Sequence, residues 1–97
     1  EYRQPVHVDS LMAVLLELAE SPLSGPFNLG GEQRLSRWEF GQRLLAHLPD
    51  LAAGPGAVVP GLVRDSGLVR ASDLTMDLAR TRACLRTRLP GVDEILA

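Results

Sequence analysis

The sequence predicts an α/β fold with short strands in the order β-α-β-α-β-α. Three observations predict it. An apolar series at i, i+3, i+4 and i+7 follows a short extended opening. The stretch LSRWEF carries a helix start signal, and an aspartate precedes a further helical stretch near the end of the chain.

Gln4 to Val8 reads as the first strand, and Ser10 is placed to cap a helix running to Glu20. Leu11, Val14, Leu15 and Leu18 then share one face, which is expected to be buried. Pro22, Ser24, Gly25 and Pro26 break that helix. Phe27-Asn28-Leu29 reads as a second short strand, closed by Gly30-Gly31. In LSRWEF, Ser36 can accept the amide of Glu39 while Glu39 reaches back to the amide of Ser36. Leu35 and Phe40 occupy the staple positions around this box. The second helix continues through Phe40, Leu44 and Leu48, and Pro49 helps to end it before the loop PDLAAGPGA. Ala57 to Val59 reads as a third strand. GLVR follows twice, at 61–64 and 67–70, a duplication too short for a repeat architecture. Asp77 is expected to cap a third helix from Leu78 to near Arg88, and Pro90-Gly91 leads into a last turn, Val92 to Leu96.

The composition bounds the function. With 97 residues, 45% of them apolar and 23% charged, the chain has the make-up of one globular domain or a piece of one. A net charge of −2 gives no general attraction to nucleic acid or to an anionic membrane. No apolar run is long enough to span a bilayer, and no signal-peptide pattern is present. The one cysteine, Cys84, has no partner for an internal disulfide, so a reducing, cytoplasmic setting is the expectation, with Cys84 a small apolar filler. All ten basic residues are arginine. A chain without lysine can build neither a Schiff base, nor a P-loop lysine, nor a Tyr-x-x-x-Lys proton relay.

Other chemistry is thinly signalled. GPGAVVPG at 54–61 is the nearest match to a dinucleotide-binding fingerprint, but its third glycine position is Val59 and it leads toward a strand rather than a helix. His7 and His47 stand far apart, and Cys84 has no spaced partner, so no metal-ligand pattern exists. Arg80, Arg82, Arg86 and Arg88 are interspersed with Asp73, Asp77, Asp93 and Glu94, not with aromatics, which favours a solvated helix face over a nucleic-acid stripe. Trp38, second in its helix, can stack on a ligand base or pack against neighbouring structure. The residues alone describe an α/β piece with no catalytic centre of its own.

Four segments, in order, carry a resemblance: RQPVHVDSL, FNLGG, LSRWEFGQRLL and RASDLTMDLARTRACL. Together they resemble the C-terminal part of the extended short-chain dehydrogenase/reductases, and most nearly the dTDP-4-dehydrorhamnose reductase-like, NAD-dependent epimerase/dehydratase, sugar-nucleotide-binding branch. The resemblance covers nearly all of residues 1–97. It implies a C-terminal fragment of a Rossmann-type protein, with the dinucleotide-binding domain standing before Glu1 in the parent. That absent N-terminal domain would carry NAD(P), the glycine-rich loop and the tyrosine-lysine pair. This chain would bind no cofactor and hold no catalytic residue. It would supply pocket walls for a nucleotide-linked sugar.

In related epimerases, the arginines opening the equivalents of RQPVHV and RASD contact the nucleotide diphosphate, which implies substrate-binding roles for Arg3 and Arg70. A guanidinium fork matches phosphate oxygens, so two can clamp a pyrophosphate. The duplicated GLVR makes Arg64 a rival for Arg70. The chain departs from the family in having Ser10 for a second aspartate, Ala71 for a proline and Met76 for a leucine. Two further readings stay open: a non-catalytic binding or regulatory subunit of the same fold, as one branch is for methionine adenosyltransferase, and a small ligand-free interaction domain. If the strand at Phe27–Leu29 has lost its neighbour, its free edge favours self-association.

Overall fold

The computed structural model describes residues 1–52 and 58–97. Strand β1 is Tyr2–Arg3 and helix α1 is Val8–Ala19. Strand β2 is Leu35–Ser36, followed at once by α2, Arg37–His47, and a single turn, α3, Pro49–Ala52. A 3₁₀ turn covers Val63–Asp65, and two short helices close the chain: α4, Ala79–Cys84, and α5, Val92–Leu96.

The first strand lies earlier than Gln4–Val8, and the cause is Pro5. Proline has no N–H for a ladder, so pairing stops before it, and the Gln4 carbonyl instead accepts the amide of Gly31. β1 pairs antiparallel with β2, Tyr2 opposite Ser36 and Arg3 opposite Leu35. On its other side, Tyr2 bridges Asp73 in parallel: its amide donates to the Ser72 carbonyl and its own carbonyl accepts from Leu74. Three segments remote in sequence thus meet at β1.

Phe27–Leu29 forms no strand. Asn28 is tied instead to α4 and the residues before it: its side-chain Nδ2 donates to the Asp77 carbonyl, and the Thr81 hydroxyl donates to the Asn28 carbonyl. No strand edge is therefore exposed there. The expected third strand begins at Ala57, outside the described residues; Val58 and Val59 form none.

α1 starts two residues before Ser10. His7 caps it, its ring nitrogen Nδ1 accepting the amide of Asp9. Val14 is fully buried and Leu11 and Leu18 are half-buried, but Leu15, expected on the same face, is exposed. Val14 packs with Leu85 and Leu89, and Val6, Leu18 and Leu29 close around them. This is a small core, and the chain is drawn out around it: the radius of gyration is 16.0 Å, against about 12.5 Å for a compact domain of this length.

The capping box of α2 is complete. The Ser36 hydroxyl accepts from the Glu39 amide at 3.1 Å, and the Glu39 carboxylate accepts from the Ser36 amide at 3.0 Å. Those bonds to Ser36 hold the Glu39 carboxyl below its ordinary range. Ser36→Ala is expected to cost about 1 kcal/mol, Glu39→Ala somewhat less, and the double variant less than the sum. Strict additivity in urea melts would mean that the two bonds are independent. Pro49 does not simply end the helix; it opens α3, where its missing N–H is harmless.

The next helix, α4, starts at Ala79 with Leu78 rather than Asp77 at its cap position; the Asp77 carboxylate still accepts the amide of Ala79, and α4 ends at Cys84 rather than near Arg88. The carboxylate of Glu17, on α1, takes the amides of Arg86 and Thr87, each at 2.8 Å. Those bonds hold the Glu17 carboxyl below its ordinary range. They also turn the chain out of helical register, so that Leu85 is extended and buried.

Candidate functional site

The site grows out of the meeting of segments at β1. One residue beyond the Tyr2–Ser36 pair, Glu1 stands opposite Arg37, and the Arg37 amide donates to the Glu1 carbonyl at 2.8 Å. The parallel bridge from Tyr2 to Asp73 draws the segment containing Arg70 to the same place. The result is a fan of three guanidiniums on one carboxylate. Arg3 Nη2 lies 3.2 Å and Arg37 Nη1 3.3 Å from Glu1 Oε2, while Arg70 Nε lies 3.1 Å from Glu1 Oε1.

The carboxylate lies inside and the arginines face out. The side chain of Glu1 is 9% exposed, against 29% for Arg3, 58% for Arg37 and 40% for Arg70. Burial pushes the Glu1 carboxyl up, but the Arg37 hydrogen bond and the charges of Arg70, Arg37 and Arg3 outweigh it and hold the group below its ordinary range. Arg3 is further braced by the carbonyls of Tyr2 and Ala71.

Sequence reading named Arg3 and Arg70, and both reach the same carboxylate. It missed Arg37. The signal was latent in LSRWEF, since the residue after a helix cap that ends a strand stands beside the next strand; using it required the β1–β2 register. Arg64 lies in the 3₁₀ turn and lines a neighbouring hollow with Arg70, and it makes no ion pair among the described residues.

An open cleft of about 550 Å³ adjoins the fan, bounded by Arg37, Arg70, Trp38 and the apolar side chains of Val59, Leu62 and Leu68. Trp38 is 42% exposed there. Beside it, Arg34 stacks on the Tyr2 ring at 3.6 Å and pairs with Asp73 at 2.9 Å. Asp73 is held down to about 2, first by the Thr75 hydroxyl and then by Arg34, so this aspartate is a fixed anion that steadies the parallel bridge.

The late arginines separate by environment. Arg80 donates to the carbonyls of Ser24 and Pro26 and lies over the Phe27 ring, and Arg88 pairs with Glu32 and Glu94. Arg82 is exposed with no ion pair among the described residues. Cys84 is exposed, not the buried filler expected. No group of three or more His, Cys, Asp and Glu among the described residues is arranged to hold a metal ion, and no helix among them is long and apolar enough to cross a membrane.

Compared with protein-family models, curated proteins and solved structures, the chain matches none.

Proposed function

We propose that this chain is the substrate-binding portion of an NAD(P)-dependent sugar-nucleotide reductase or epimerase of the extended short-chain type, and that it grips the ligand's diphosphate with Arg3 and Arg70. One observation carries the reading. These two arginines, remote in sequence, turn their guanidiniums onto a single carboxylate, and a carboxylate offers the planar oxygen pair that a phosphate also offers. The adjoining cleft supports it, because Trp38 and the apolar wall give a nucleoside a stacking surface next to the phosphate ligands.

In this reading the nicotinamide belongs to a partner domain. The fingerprint-like stretch 54–61 lies partly outside the described residues, and Val58 to Gly61 form neither the strand nor the helix that a dinucleotide site needs. α1 supports a missing neighbour, with Val8, Met12, Leu15 and Leu16 all exposed along it. The setting proposed is cytoplasmic.

Trp38, the sole tryptophan, supplies the test. UDP-glucose, dTDP-glucose or GDP-mannose is expected to change its fluorescence saturably, and Arg70→Ala or Arg3→Ala to weaken that binding by about 1.5–3 kcal/mol. NADPH is expected to give no saturable signal. Binding unchanged in both arginine variants, or no binding of any of the three nucleotides, would overturn the proposal.

A further inference from the structure

We infer that Arg37 is a third ligand of the anion site and that Glu1 is its built-in counter-ion, so that the site is matched to a diphosphate diester rather than to a phosphate diester. This rests on the diphosphate reading above and deepens it. Glu1 accepts hydrogen bonds from Arg3 at 3.2 Å and Arg37 at 3.3 Å and forms an ion pair with Arg70 at 3.1 Å, so three guanidiniums gather around one anion without any ligand. An anionic oxygen pair, that of Glu1, thus already occupies the place where the three guanidiniums meet.

Charge sets the class of ligand. Three guanidiniums against one carboxylate leave two positive charges unmatched. A diphosphate diester carries two negative charges, one on each phosphoryl group, whereas a phosphate diester carries one. The geometry agrees. Arg37 and Arg70 are each held to Glu1 through one nitrogen of the fork, and they are the two most exposed members of the fan. The remaining N–H groups of each fork make no hydrogen bond among the described residues. Both arginines also border the cleft that Trp38 lines, so a diphosphate held there would pass its nucleoside into that cleft.

Arg37 does this from a well-fixed position. It is the first residue of α2, its amide is bound to Glu1, and the complete capping box holds the turn behind it. Glu1 has a different part. It keeps three like charges together in the free protein, and it competes with the incoming anion for the same guanidiniums.

Calorimetric titration of the whole chain with inorganic pyrophosphate, at low salt, tests the inference. Arg37→Ala is expected to weaken binding about tenfold or more, as Arg70→Ala does, while Arg82→Ala leaves it unchanged. Glu1→Gln is expected to tighten it several-fold. Opposite signs from two variants of one ion cluster cannot both come from unfolding. Arg37→Ala binding like the unmodified chain while Arg70→Ala loses affinity would overturn the third ligand and leave the diphosphate reading intact. Glu1→Gln binding no tighter would overturn the counter-ion. Pyrophosphate bound in an Arg37-dependent way, with UDP-glucose, dTDP-glucose and GDP-mannose all refused, would uphold the anion site and remove the sugar-nucleotide reading. No pyrophosphate binding by the unmodified chain or by Glu1→Gln would overturn both.

Discussion

Leu89→Ala is expected to destabilise the protein by about 2–5 kcal/mol, the range for removing a buried leucine side chain. Leu89 is 5% exposed and packs with Val14 and Leu85, inside a ring of Val6, Leu18 and Leu29. That cluster ties α1 to the segment after α4, and it has few members to share the loss. The backbone carbonyl of Leu89 also accepts the amide of Glu32, so a shift to fill the cavity would strain that bond. A domain of this size holds only about 5–15 kcal/mol in total, and the variant should melt far below the unmodified chain. Leu16→Ala is the control, because Leu16 is 63% exposed; it should stay within about 0.5 kcal/mol. Equal losses in urea melts of the two variants would show that the core lies elsewhere.

Gly31→Ala is expected to cost about 1–3 kcal/mol, at the upper end because the obstacle is main chain. A methyl group on Gly31 would fall deep inside contact distance of the Pro5 carbonyl oxygen and 3.2 Å from that of Pro90. Neither can swing aside as a side chain could. The amide of Gly31 meanwhile donates to Gln4, so the close approach is a working contact between the chain opening and the FNLGG turn. Gly61 makes the comparison, since a methyl group there meets nothing within 4 Å, and Gly61→Ala should be neutral or stabilising by up to about 1 kcal/mol. If both variants unfold at the same urea concentration, the packing at Gly31 is not as tight as described.

The α2 capping box was legible in the sequence because all its atoms lie within four residues. The part of Asp77 at the start of α4 was legible only in outline: its carboxylate takes the Ala79 amide, but Leu78 holds the cap position. The end of α4 was not, because the carboxylate that takes the amides of Arg86 and Thr87 belongs to Glu17, on another helix. The strand at Phe27–Leu29 looked plausible from its apolar-polar-apolar pattern, but the Asn28 carbonyl takes the Thr81 hydroxyl instead of a ladder partner, while its side chain holds the Asp77 carbonyl. At the site, Arg3 and Arg70 were found through resemblance to a family, not through pattern. Arg37 needed strand register, which no local signal carries.

The parallel bridge beside β1 also says something about time. Tyr2 has its antiparallel partner at Ser36 and its other neighbour at Asp73. During synthesis at roughly 5–20 residues per second, the strand would leave the ribosome several seconds before the segment that completes its second side. Until then one edge of β1 stays open, and the guanidinium of Arg70 is not yet available to Glu1. The anion site can therefore assemble only after Arg70 has emerged, and a chain stalled before Arg70 would leave that edge of β1 open to any other strand that passes.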